Sequence, residues 1–236
     1  MSMSAPEIAT DQWKRIAAQK AAEDVVDGMV VGLGSGTTAA HLVEALGQRV
    51  RQGLRIIGVP TSEQTAAHAR QLGIPISDLG EHPSIDLTID GADEVETRTL
   101  DLIKGHGGAL LREKIVAAAS RAMSIVVDET KIVERLGSHF AVPVEVVPFG
   151  WQTTAARLRE LKGEPQLRLD ADGRPFVSDG GHSILDLSFR APIRSAAELD
   201  LALNSVVGVV EHGLFLGFAS KVFIGGPNGV KLLTRS

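Results

Sequence analysis

The chain has 236 residues, 44% of them hydrophobic, and a formal net charge of −5. That length supports one large domain, or one domain with a small companion, around a sizeable core. The acidic balance, with 4% aromatic residues and no cysteine, excludes a nucleic-acid partner, disulfides, thiolate chemistry and Cys-ligated zinc.

In chain order, Asp11 to Val26 reads as a helix rich in Ala, Lys and Glu, ending near Gly28. Met29 to Leu33 is a short apolar run that stops in glycines, which predicts a buried strand. Helical patterns at Thr38 to Gly47, Ser62 to Leu72 and Ala109 to Ser120 alternate with apolar runs at Leu54 to Val59, Asp86 to Ile89, Leu100 to Ile103 and Met123 to Val127. This alternation predicts βαβ units: an open, mostly parallel α/β sheet with helices on both faces, Rossmann-like. After Leu136 the pattern changes to short strands (Val142 to Val147, Gln166 to Leu169, Pro175 to Ser178, Ser183 to Leu187, Val207 to Glu211) and two helices (Thr153 to Leu161, Ala196 to Asn204). Ala171-Asp172-Gly173 is a hairpin signal. The expected organisation is a catalytic α/β domain over 1–137 and 213–236, with a small α+β domain over 138–212. No stretch of about 18 apolar residues predicts a membrane span. Met1 to Thr10 lacks the pattern of a signal peptide, so a cytoplasmic protein is expected.

Three glycine-bearing motifs carry chemistry. Gly34-Ser35-Gly36-Thr37-Thr38 follows a predicted strand and opens a helix, where free backbone N–H groups and the helix dipole suit a phosphate. It lacks the Gly-Lys-Ser/Thr end of a Walker loop and the third glycine of a dinucleotide fingerprint; the bland reading is a tight turn. Asp90 and Asp93 stand at the end of a strand, where two neighbouring carboxylates suit acid–base work on hydroxyls. A solvated acidic turn or a hard-cation site are the alternatives. Lys104-Gly105-His106-Gly107-Gly108 precedes a helix carrying Glu113. A lysine there can hold an oxyanion. Glu113 shares a small apolar face with Ala109, Val116 and Ala117, so partial burial would suit it to general-base work, although favourable interaction with the helix dipole explains it too. The seven histidines show no metal-ligand pairing, so no metal site is expected.

These blocks, with Arg112-Glu113-Lys114, Val127-Asp128-Glu129-Thr130-Lys131, Pro143 to Pro148 and Gly229-Val230-Lys231, resemble the A-type ribose-5-phosphate isomerase family from about Trp13 to Lys231. The resemblance implies interconversion of ribose 5-phosphate and ribulose 5-phosphate, without cofactor, by a homo-oligomer (dimer or tetramer). It implies Glu113 as general base, Asp90 and Asp93 as carboxylates handling hydroxyl protons, and Lys104 as the enediolate's cation. Lys14, Ser35, Gly36, Thr37, Thr38, Gly105, Gly107 and Lys131 fall on substrate-binding positions. The sequence departs from the family pattern at His106 and at Gly181-His182. A same-fold amino-sugar phosphate deaminase, a CoA transferase with a nucleophilic glutamate, or a sugar-phosphate sensor without activity are the other readings.

Overall fold

A computed structural model describes residues 5–235; the first four residues of the Met1 to Thr10 stretch, read above against a signal-peptide pattern, lie outside it. In chain order the elements are α1 (Ala5–Ala22), β1 (Val30–Leu33), α2 (Gly36–Arg51), β2 (Ile57–Pro60), α3 (Glu63–Gln71), β3 (Leu87–Asp90), β4 (Glu94–Glu96), β5 (Leu102–Ile103), α4 (Leu110–Ala118), β6 (Met123–Asp128), β7 (Ile132–Val133) and β8 (Val142–Val146). They continue with α5 (Trp151–Glu160), β9 (Glu164–Leu167), β10 (Ser183–Ser188), α6 (Ala196–Asn204), β11 (Val209–His212), β12 (Leu214–Phe215), β13 (Ala219–Gly226) and β14 (Gly229–Thr234). The chain forms two compact units, one of residues 1–92, 112–132 and 217–236, the other of 93–111 and 133–216.

The first unit is built on a six-stranded sheet in the order β14-β13-β6-β3-β1-β2. All neighbours run parallel except the edge hairpin β13-β14. Every residue of β3 and β6 is buried, as expected of parallel strands covered on both faces. Side chains alternate across the sheet. Val31, Leu33, Leu87 and Ile89 point into a core with Ala17, Ala18 and Ala21 of α1 and Leu42, Val43 and Leu46 of α2. The spacing of Ala39, Leu42, Val43 and Leu46 lines one face of α2, which is why that segment folds as a buried-face helix. The opposite face of the sheet is covered by α4: a Cβ on Gly32 of β1 would meet Val116 Cγ1 at 2.8 Å and overlap Thr88 of β3. Ser62 caps α3, its hydroxyl accepting from the Thr65 N–H at 3.1 Å, a cap that contributes about 1 kcal/mol.

The second unit holds a four-stranded antiparallel sheet in the order β11-β8-β10-β9. Val142, Val144 and Val146 of β8 bury one face against Ala155 and Leu158 of α5 and Leu203 of α6. A set of short strands, ordered β12-β5-β4-β7, forms a further sheet.

The α/β class and the return of the C-terminal segment to the first sheet match the sequence reading; several details differ. Helix α1 ends at Ala22, because the N–H groups of Glu23, Asp24 and Val25 turn back onto the carbonyls of Lys20, Ala21 and Ala22. β2 begins at Ile57, since the Leu54 N–H is still bonded to Arg49 O in the turn after α2. Pro175 to Ser178 is not a strand: Pro175 makes an isolated bridge with Leu169, and Ser178 already donates to His182 O in a local turn. β4 forms in the stretch whose alternative reading is a solvated acidic turn, because Glu94 and Val95 find antiparallel partners in Ile103 and Leu102. The segment 93–111 belongs to the second unit, whereas the sequence reading keeps it in the first and places the small domain at 138–212.

Candidate active site

Within the first unit, three chemistry-bearing groups collect at the carboxyl edge of the parallel strands, the usual ligand crevice of such sheets. Asp90 ends β3 and is 1% exposed. Its Oδ1 accepts from the Gly91 N–H at 2.7 Å and the Ser35 N–H at 3.1 Å. The loop after β1 therefore leans on this carboxylate, and a Cβ on Gly34 would overlap Asp90 Oδ1. Thr65 donates to Gly34 O at 2.9 Å and Thr61 to Leu33 O at 3.1 Å, which fixes the loop from below.

The start of α2 has no side-chain cap and no acidic residue in its first turn. Gly36 sits at φ +85° and is exposed, a conformation that glycine adopts without strain. The first N–H groups of a helix lack intrahelical acceptors, so Gly36, Thr37 and Thr38 present donors and a positive dipole end to an anion. Ser35 differs from its neighbours. Its N–H is held by Asp90, and its hydroxyl shares a 2.7 Å hydrogen bond with Thr61. Thr38 lies beside Gly91, where a Cβ would meet Thr38 Cβ at 3.4 Å, so the first two motifs adjoin.

Glu113 is 4% exposed. Its level and face follow from α4. The helix ends beside the start of β3, with Ile85 N–H bonded to Ala119 O, and its middle residue Val116 packs over Gly32 and Thr88. Glu113 is one turn earlier on the same helix face, about 4.5 Å nearer the carboxyl edge of the strands. Asp90 is two residues beyond Thr88 on the same sheet face, about 6.6 Å along in the same direction. Both buried carboxylates thus lie toward the carboxyl edge on one side of the sheet.

Lys14 and Lys131 flank β6. Lys14 Nζ is 3.8 Å from Asp128 Oδ2, and Asp128 is buried at the strand's carboxyl end. Asp128 is in turn fixed by the Thr130 N–H at 3.0 Å and by the Thr130 hydroxyl. Lys131 ends the single 3-10 turn that follows and is half-buried.

The remaining groups lie in the second unit. Lys104 is 2% exposed; its N–H donates to Gly213 O at 2.9 Å and its ammonium lies 5.5 Å from the Phe215 ring centre. Asp93 Oδ2 accepts from the His106 N–H at 3.0 Å. The His106 ring meets Phe140 edge-on at 4.8 Å. Gly105 is buried at φ +106°, while Gly107 is exposed.

Sequence reasoning passed over the residues that hold these in position: Thr61 and Thr65 under the first loop, Glu94, and Arg168. Buried Glu94 accepts from the N–H groups of Gly137, His139 and Phe140 at 2.6, 2.5 and 2.9 Å. A glutamate next to an Asp-rich turn carries no local signal of that task. Among the described residues no group of three or more His, Asp or Glu side chains could hold a metal ion.

A doubly covered parallel sheet, with two buried carboxylates and an uncapped helix start toward its carboxyl edge, defines a layered α/β protein with polar groups in the usual ligand crevice. The sequence pattern of ribose 5-phosphate isomerase A (phosphoriboisomerase A) matches residues 57–229, and the chain belongs to that family. The ribose-5-phosphate isomerase A of Gloeobacter violaceus is 56% identical, covering 96% of this chain and 97% of its own. The solved ribose 5-phosphate isomerase A of Methanocaldococcus jannaschii superposes with a TM-score of 0.91 at 40% identity, covering 95% and 99% of the two chains. A D-ribose-5-phosphate isomerase solved in complex with phospho-erythronic acid gives a TM-score of 0.92 at 37% identity, covering 96% and 99%.

Proposed function

We propose that this chain interconverts ribose 5-phosphate and ribulose 5-phosphate through an enediolate, the step that joins aldose and ketose in the non-oxidative pentose phosphate pathway. The observation that carries the reading is the pair of buried carboxylates, Asp90 and Glu113, on one side of the sheet beside the open start of α2. The relatives agree in kind. Phospho-erythronic acid, the ligand of one of them, joins a phosphate to a carboxylate that stands where an enediolate would form.

Glu113 takes the C2 proton of the open-chain aldose. The C–H electron pair becomes the C1–C2 double bond, and the carbonyl pair moves onto O1. Lys104 supplies the cation that holds this oxyanion. Asp90 carries the O2 hydroxyl proton to O1, and Glu113 returns its proton to C1, giving the ketose. Asp90 or Asp93 assists opening of the furanose ring beforehand. Gly36, Thr37 and Thr38 hold the phosphate with Lys14, while Ser35 fixes the loop, and Gly105, Gly107 and Lys131 contact the sugar phosphate. An anchored phosphate lends binding energy to the reacting carbons. Hydrogen moves as a proton throughout, so the cycle needs no redox cofactor or metal. Its substrate is charged and does not cross membranes, which suits a cytoplasmic enzyme; the same reading includes a homo-oligomer.

The test is conversion of ribose 5-phosphate by metal-stripped protein. Activity should survive chelation. Glu113→Gln should lower kcat by about three orders of magnitude or more while phospho-erythronic acid still binds. Near-normal turnover in that variant removes Glu113 as the base, and no ketose from unmodified protein removes the function.

A further inference from the structure

Arg168 follows β9 in the second unit and belongs to no motif of the sequence. Its side chain is only 12% exposed. The guanidinium grips Asp186 through both nitrogens of one edge, Nε to Oδ2 at 2.9 Å and Nη2 to Oδ1. The remaining nitrogen, Nη1, donates to two successive carbonyls, Gly105 O at 2.8 Å and His106 O at 3.0 Å. Phe176 completes the clamp. Its ring lies 6.0 Å from the guanidinium carbon and so close to Gly108 that a Cβ there would overlap it.

The consequence follows from peptide geometry. Both peptides are trans, and in a planar trans peptide the N–H points opposite to the C=O. Holding Gly105 O turns the His106 N–H away from Arg168, and that N–H donates to Asp93. Holding His106 O turns the exposed Gly107 N–H away in the same sense. Within the loop the Gly108 N–H also donates to Gly105 O at 3.0 Å, so Arg168 shares that carbonyl with the turn, while its bond to His106 O orients the Gly107 peptide, where glycines impose little backbone preference. A lysine could not substitute: the task needs a rigid fork that engages a carboxylate on one side and two carbonyls on the other.

We infer that Arg168 is a positioning residue of the isomerase, which aims the Gly107 N–H and the Asp93 carboxylate by holding the carbonyls of Gly105 and His106. The assignment rests on the isomerase reading for its kinetic consequence, and on the geometry alone for the loop. Asp186 is the anchor that keeps the guanidinium from turning.

Arg168→Met and Arg168→Lys test it, through ribose 5-phosphate kinetics, thermal melts and the backbone amide resonances of residues 105–108. Arg168→Met should lose about 10- to 100-fold in kcat/KM, with the fall in kcat, while the protein still melts cooperatively and the His106 and Gly107 amide signals move. Arg168→Lys should remain impaired. Turnover of a folded Arg168→Met protein within about twofold of the unmodified enzyme overturns the assignment. Full rescue by lysine does so too, because it reduces Arg168 to a point charge. If Arg168→Met does not fold, Asp186→Asn puts the same question with the guanidinium still present: normal turnover and unmoved amide signals reject the assignment. If the unmodified protein makes no ketose, the functional reading fails separately, and the amide signals of the variants alone decide whether Arg168 orients the loop.

Discussion

A carboxylate buried at a strand end is costly unless hydrogen bonds hold its charge. Asp90 meets that cost with two backbone N–H groups on one oxygen, and Glu94 with three across its two oxygens. Glu96, two residues on from Glu94, is hydrogen-bonded by the Thr99 side chain instead. Burial pushes its carboxyl above the ordinary value, and the neighbouring Asp101 pushes it the same way, against smaller opposing effects of Thr99, Arg135 and Arg98. The sign is therefore fixed. Below the ordinary carboxylate value of 4.5 the group is protonated in both folded and unfolded chains, and it costs nothing. As pH rises through the raised folded value, ionisation favours the unfolded chain and stability is lost. Glu96→Gln should accordingly melt higher than the unmodified protein at pH 7, with the gap closing by about pH 4. A gap of equal size at both pH values would show that the charge of Glu96 is not what destabilises.

At the scale of elements, the site depends on how closely the turn after β1 approaches the end of β3. Gly34 exists for that approach: a Cβ would overlap the Asp90 carboxylate and come within 2.7 Å of its Cα. The backbone atom cannot step aside as a side chain could. Gly34→Ala should cost about 1–3 kcal/mol of stability through overpacking and at least about tenfold in kcat through displaced Asp90. Unaltered kinetics in that variant would mean that the β1 turn and Asp90 do not work as one piece. Gly36 makes the contrast, since open space surrounds its Cβ position and its demand is only the positive φ of a helix start.

At the scale of the molecule, each unit is assembled from separate stretches of chain. The first takes three, and β13 from the C-terminal stretch pairs with β6 nearly a hundred residues earlier. Such long-range parallel pairing closes large loops before contacts repay them, which predicts slow folding. The second unit exposes Phe149 at 93%, Val207 at 74% and Leu201 at 71%. Burying these three side chains is what the proposed homo-oligomer would gain. Sedimentation equilibrium at micromolar concentration should give a mass at least twice that of one chain; a monomer at all concentrations would dismiss the oligomer.

The sequence by itself determined the layered α/β class, the return of the C-terminal strands and the three glycine-bearing motifs. These are written in local periodicity, turn residues and helix starts, which act over a few residues. It also exposed Glu113, through the small apolar residues that share its helix face. Tertiary structure alone decided that Ser35 is occupied by Asp90 and Thr61, that Glu94 and Arg168 tie down loops far away in sequence, and that 93–111 joins the second unit. Those outcomes depend on hydrogen bonds between residues 26 to 63 positions apart. A carboxylate or guanidinium buried by such contacts looks, in the sequence, like any other charged residue on a surface.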